Sequence, residues 1–174
     1  NFSKLITATG KPSSSADKYI DLLVAERLTG KSEPFYTNDH MARGNELEPE
    51  AREAYEFISG NTVTEHGFIL DDSEEFGCSP DGLIEGGGLE IKCAAQGTQA
   101  GYLRDPQIAV KKYYHQIQGC MWVCNREWWD LFLYHPEMSH VLVRVERDDQ
   151  FIEALAIEVD KAVNVILNQV EKHQ

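Results

Sequence analysis

The chain has 174 residues, 42% hydrophobic and 26% charged, a length and balance that suit one globular domain burying roughly 70% of its unfolded surface. No apolar run approaches the roughly 20 residues that span a bilayer, and Asn1–Gly10 carries no secretion signal, so a cytoplasmic protein with no membrane partner is expected. The net charge of −13 argues against a simple DNA-coating protein, because phosphate binding normally leaves a basic footprint.

The charge is unevenly spread. Lys92, Arg104, Lys111 and Lys112 fall in the middle third, whereas the acidic excess sits at 46–56, 71–75 and 146–160. Such segregation lets a basic face meet a polyanion while acidic faces point outward. The four cysteines, Cys78, Cys93, Cys120 and Cys124, form no CxxC pair and are read as reduced, buried thiols rather than zinc or iron–sulfur ligands.

Gly10 to Ala16, with Pro12 and three serines, is the expected flexible piece. A helix follows from Asp17, with Tyr19, Ile20, Leu23, Val24 and Leu28 spaced for one buried face and Gly30 as its stop. A second helix is expected over Met41–Ile58, ended by Gly60. The period then changes: Thr62–Leu70, Phe76–Pro80 and Gly82–Ile84 read as strands, and Gly86-Gly87-Gly88 as a tight turn into the strand Leu89–Cys93. Asp105-Pro106 is a good N-cap and N1 pair for a helix reaching about Cys124. Trp128–Tyr134 and Val141–Val145 alternate as strands, and Asp149–Lys172 closes the chain as an amphipathic helix. The order gives a mixed α/β single domain over 1–174.

Ser79-Pro80-Asp81-Gly82 is followed, nine residues after the aspartate, by Glu90-Ile91-Lys92. A hairpin between them returns the chain so that Asp81 and Glu90 lie side by side at one end of a sheet. On a strand Glu90 and Lys92 share a face while Ile91 points to the other. Two carboxylates and the backbone carbonyl of Ile91 then offer the oxygen ligands that Mg²⁺ prefers, and the lysine can serve the attacking water of a phosphodiester hydrolysis. The bare motif equally fits an exposed hairpin carrying Glu and Lys.

The surrounding pieces decide between the two. LLVAERLTG (22–30), RGNELEPEAREA (43–54), CSPDGL (78–83), GLEIKC (88–93) and YYHQIQGCMWV (113–123) occur in that order. In these pieces the chain resembles the lambda-exonuclease-like (YqaJ) family of phage recombination nucleases, within the PD-(D/E)xK nuclease superfamily, over nearly its whole length. The resemblance implies a central mixed β-sheet flanked by helices, with a restriction-endonuclease-like core. It implies a Mg²⁺-dependent 5′→3′ exonuclease on linear double-stranded DNA, generating 3′ tails for phage-type recombination, with one or two ions per site and Mn²⁺ as a substitute. It further implies a homotrimeric ring and a single-strand annealing protein as partner.

By the same resemblance Asp81 and Glu90 are metal ligands, Lys92 is the catalytic lysine, and Glu48 is the helical glutamate that approaches the metal. Gln116 sits beside the metal and helps place the substrate; Tyr113, three residues before it, shares its helix face. Ser79 and Asp71 are further DNA-contact candidates, although turn capping explains Ser79 equally well and Asp72 competes with Asp71 for the alignment. His115 is read as a surface or core histidine, Gln118 as structural, and at least one of Trp128 and Trp129 as core. The family's amino-terminal Arg-x-Gly-x-x-Thr-Ala-Ser segment, which engages the 5′-phosphate, is expected upstream of Asn1. Competing readings are a structure- or site-specific endonuclease with the same site, a catalytically inactive DNA- or protein-binding relative, and an acidic DNA mimic.

Overall fold

A computed structural model describes residues 1–32 and 39–173, without the side chains of 39–41. Among the described residues the elements run α1 (Ala16–Thr29), α2 (Asp39–Ser59), β1 (Ile69–Leu70), β2 (Gly77–Cys78), β3 (Gly82–Ile84), β4 (Gly87–Cys93), α3 (Gln96–Arg104), α4 (Gln107–Val123), β5 (Trp128–Tyr134), β6 (Val141–Glu146) and α5 (Asp149–His173). The chain forms two compact units, one from Asn1–Tyr36 with Asp148–Gln174 and the other from Thr37–Arg147.

In the first unit α5 buries Phe151, Ile152, Leu155, Val159, Ala162 and Ile166, a run at three- and four-residue spacing that makes one continuous stripe. Leu5 and Ile6 are buried with it, and α1 packs on α5. The expected buried face of α1 is only half formed. Tyr19, Ile20, Leu23 and Val24 are partly covered, Leu28 is exposed, and the helix holds no fully buried residue. Its stop is as expected: Gly30 adopts a left-handed φ of 65° and closes on the Glu26 carbonyl at 2.9 Å.

The second unit is built on a four-stranded sheet in the order β3-β4-β5-β6, with β4 and β5 parallel and the other pairs antiparallel. This is the α/β architecture with a central mixed sheet flanked by helices that the sequence led us to expect. β5 is central and its Trp129–Leu133 stretch is buried throughout, which is why WWDLFLY reads as an apolar run rather than an alternation. One sheet face, carrying Leu89, Ile91 and Phe132, packs with Ala51 and Tyr55 of α2. The opposite face carries Glu90 and Lys92 and meets Tyr113 and Gln116 of α4.

Several expected boundaries move. The strand proposed for Thr62–Leu70 survives as an isolated bridge from Thr64 to Leu83 and as the two-residue β1; that proposed for Phe76–Pro80 contracts to β2. The glycine run is a turn only at Gly86, whose φ is 75°. Gly87 and Gly88 lie in β4 opposite Trp128 and Trp129, where a Cβ would fall 2.4 Å and 2.3 Å from the respective indole rings. Those two glycines leave room for aromatic rings on the neighbouring strand. The short helix α3 was not foreseen. It is anchored by the buried Gln99, whose amide donates to the carbonyls of Leu133 (3.2 Å) and Ser139 (2.8 Å).

Candidate active site

Asp81 sits in the turn just ahead of β3, and its Oδ2 accepts the Ile91 N–H at 2.6 Å. That bond ties the acid to the middle of β4, whose next residues in each direction are Glu90 and Lys92. Lys92 Nζ donates to Glu90 Oε1, and Gln116 Nε2 donates to the same oxygen at 2.7 Å. Glu90 has no exposure, and its second oxygen, Oε2, is buried without a hydrogen-bond partner. Lys92 Nζ also lies 5.1 Å from the centre of the Tyr113 ring. Gln116 and Tyr113 thus reach adjacent positions of β4 from one face of α4, as their spacing of three requires.

Glu48 enters from α2. It is ion-paired with Arg52 one turn on, at 2.6 Å, and Arg52 also holds Glu65 at 3.0 Å. Pro49 follows inside the helix and lacks an N–H, so the carbonyl of Asn45 is left without its helical donor. Asn45 and Glu48 line the same cavity of about 610 Å³ as Asp81, Ile91 and Lys92. Its opposite rim comes from Thr98, Tyr102, Lys112 and Tyr113.

The electrostatics follow from crowding acids in a covered place. Burial pushes the Glu90 carboxyl up to about 7; Lys92 pulls it back and Asp81 raises it further. Burial likewise raises Asp81, against the pull of Lys92 and the Ile91 N–H. Glu48 is raised by burial and then by Asp81, with Arg52 opposing. Burial alone would lower the Lys92 ammonium, but Glu90 and Asp81 outweigh it and raise the group above its ordinary value. The lysine is therefore held as a cation between two acids.

Among the described residues no group of three or more His, Cys, Asp or Glu side chains is gathered to hold a metal. Mg²⁺ does not require one: it is commonly held by one or two carboxylates with waters completing its octahedron. The orphaned Glu90 Oε2 is the oxygen that such an ion would satisfy, because a buried carboxylate oxygen without a donor is otherwise costly. The donor set of Asp81 and Glu90 fits a hard divalent cation.

Four sequence candidates lie apart from the cavity lining: Glu90 and Gln116, hydrogen-bonded to each other, and Asp71 and Ser79. Asp71 closes its own turn, accepting from the Ser73 N–H (3.0 Å), the Ser73 hydroxyl (2.7 Å) and the Phe76 N–H (3.3 Å). Ser79 is exposed and is not part of the lining. Gln118 is buried and donates to the Glu146 carbonyl at 2.8 Å, a structural role. Trp129 is core, and Trp128 carries the Arg144 guanidinium 3.6 Å above its ring. Cys78 and Cys124 bring their sulfurs to 3.7 Å as free thiols. Sequence reasoning passed over Asn45, Thr98 and Tyr102, and singled out Lys112 only as one of the basic residues of the middle third. The last stands beside Tyr113 in KKYYHQIQ, and Tyr102 becomes visible only once α3 is recognised.

Comparison with known proteins adds to this geometry. A family model described as the YqaJ-like viral recombinase domain matches residues 1–127. The crystal structure of an alkaline exonuclease from Laribacter hongkongensis is similar at 32% identity and a TM-score of 0.84, covering 98% of this chain and 92% of that one. The same exonuclease in complex with dAMP matches at 32% identity and 0.84, over 98% and 93%. A phage related exonuclease from Haemophilus somnus 129PT shares the fold at 17% identity and a TM-score of 0.82, over 99% and 94%. No curated protein matches.

Proposed function

The chain belongs to the family of YqaJ-like viral recombinase domains, and from that membership and the site we propose that it is a Mg²⁺-dependent exonuclease. It digests linear double-stranded DNA in the 5′→3′ direction and leaves 3′ single-stranded tails for phage-type recombination. The observation that carries this reading is Glu90, fully buried, with one oxygen held by Lys92 and Gln116 and the other left without a partner. The dAMP bound to the Laribacter exonuclease supports release of mononucleotides.

Asp81 and Glu90 would hold the ion, with the Ile91 carbonyl and Glu48 as further oxygen donors. When bound, Mg²⁺ offsets the negative charge of the site and of the transferring phosphate and polarises the P–O bonds. Lys92, held protonated between two acids, orients the attacking water and stabilises negative charge developing on the phosphate oxygens through Nζ. Gln116 keeps Glu90 in place from α4. Tyr113 covers Lys92 and limits the water around it. Mn²⁺ substitutes for Mg²⁺, a homotrimeric ring encloses the duplex, and a single-strand annealing protein receives the tail; family membership alone supports these three.

The test is digestion of a linear duplex with a 5′-phosphate, labelled at either end, with and without Mg²⁺, beside a covalently closed circle. Early Mg²⁺-dependent loss of the 5′ label, with the circle intact, is the expected result. Cutting of the circle would replace this reading with an endonuclease, and an untouched linear duplex would end the nuclease reading.

A further inference from the structure

Lys92 and Lys112 stand in the same cavity, and each places its ammonium nitrogen 5.1 Å from the centre of the Tyr113 ring. The two nitrogens are therefore at most about 10 Å apart. Their surroundings differ. Lys92 is committed to Glu90. Lys112 is exposed and, among the described residues, has no carboxylate in contact; its polar neighbours are the phenols of Tyr113 and Tyr102, whose hydrogen bonding raises its pKa against the effect of burial. Tyr102 itself is buried in α3, so it is a fixed prop for the longer side chain of Lys112. Thr98 lines the cavity as well.

A cation with only neutral oxygens around it lacks a counter-charge in the protein. Two carboxylates, Glu48 and Asp81, line the cavity, in a chain with net charge −13. A phosphodiester entering it is repelled except where a positive group faces it. Resting on the nuclease reading above, we propose that Lys112, seated on the Tyr113 ring, binds a non-bridging oxygen of the phosphate next to the scissile one and so sets how the strand lies across Asp81 and Glu90. Lys92 then serves the reacting phosphate and Lys112 its neighbour, with the Tyr113 ring holding the two cations in fixed relation. A lysine suits this role as a compact point charge that needs no bidentate geometry.

The test is the salt dependence of duplex binding by the full chain, followed by fluorescence anisotropy with Ca²⁺ in place of Mg²⁺. A lost phosphate contact makes the slope of log K against log salt shallower by about 0.9 and weakens binding severalfold near ~50 mM salt, uniformly across sequences. Lys112→Ala is expected to show both effects, Lys112→Arg to keep the wild-type slope, and Lys111→Ala, a neighbour outside the cavity lining, to change the slope much less. An unchanged slope in Lys112→Ala overturns the proposal, and so does an equal change in Lys111→Ala, which marks a diffuse field. Cleavage of linear duplex by the wild-type chain in Mg²⁺ is read in parallel. Cleavage with an unaltered slope removes Lys112 alone, whereas an altered slope without cleavage removes the nuclease reading and leaves the phosphate contact standing.

Discussion

Gln116 donates from Nε2 to Glu90 Oε1 at 2.7 Å, so a helix side chain fixes the orientation of a carboxylate that has no contact with solvent. With Lys92 on the same oxygen, Oε2 is left buried without a hydrogen-bond partner. Replacing Gln116 by leucine keeps the volume but frees the Glu90 carboxylate to rotate. Groups that orient metal ligands typically cost 10–100-fold in affinity or activity when removed. Gln116→Leu is therefore expected to lower kcat and Mn²⁺ affinity by about that range, with folding intact, as read by end-label release and titration calorimetry. Wild-type values for both would show that Gln116 does not position Glu90.

How much of this was visible in the chain itself varies from residue to residue. Asp81, Glu90 and Lys92 could be placed together because a hairpin leaves few other arrangements, whereas Gln116 and Tyr113 joined them only through the family resemblance, their spacing of three giving no more than a shared helix face. Glu48 could not be placed from its own segment, where Glu46 and Glu50 are equivalent candidates; its position depends on how α2 lies on β4. The glycine run was misread because a sequence shows conformational freedom but not the Trp128 and Trp129 rings across the strand. α3 escaped notice because QGTQAGYLR contains two glycines and little apolar periodicity, and its hold on the sheet comes through one buried glutamine. Such tertiary anchoring leaves no local trace.

Lys92 is the residue whose loss separates chemistry from binding. Its ammonium lies between Glu90 and Asp81, and removing it leaves Glu90 fully buried with only Gln116 as donor. Lys92→Met is expected to reduce cleavage by at least about 10²-fold, the range associated with losing one preorganised donor to developing negative charge, while duplex affinity falls by less than about tenfold because phosphate contacts elsewhere remain. Single-turnover cleavage and anisotropy on the same preparation check both. Cleavage within a few-fold of wild type would take Lys92 out of the mechanism.

Glu90 also makes the metal-free chain sensitive to pH. Its carboxyl is raised to about 7, first by burial, so the folded chain holds this proton more tightly than the unfolded chain does. Its contribution to stability is complete below the ordinary glutamate pKa of about 4.3 and is lost as pH rises through about 7. Lys92 titrates far above this window and does not alter the sign. The Tm of the metal-free wild type, compared with Glu90→Gln, is therefore expected to fall between pH 5 and pH 8. Saturating Mn²⁺ should raise the wild-type Tm more at pH 8 than at pH 6, because ion and proton compete for the same carboxylate. A Tm difference between wild type and Glu90→Gln that stays constant across this range would contradict the placement of Glu90 as the titrating group.

Asp130 faces away from this chemistry. Adjacent strand positions alternate in side, and Asp130 pairs with Leu89 while Leu131 pairs with Glu90. Its buried carboxylate accepts from Arg144 Nε at 2.9 Å and Nη2 at 3.0 Å, and from the Tyr55 hydroxyl at 2.8 Å. Arg144 is about half exposed, so solvent softens the loss of its charge. Arg144→Ala is expected to destabilise by about 2 kcal/mol, below the usual cost of orphaning a buried acid, and Tyr55→Phe by about 1 kcal/mol. Adding Asp130→Asn to Arg144→Ala should recover part of the loss, since a neutral amide tolerates burial without a cation. Urea unfolding measures each step. Under conditions where each variant is folded, cleavage should stay within about twofold of wild type, because the network braces the sheet face opposite to the one on which β4 carries Glu90 and Lys92. A variant that keeps full stability yet loses cleavage would show that the two faces are coupled, and that the separation drawn from the strand register is wrong.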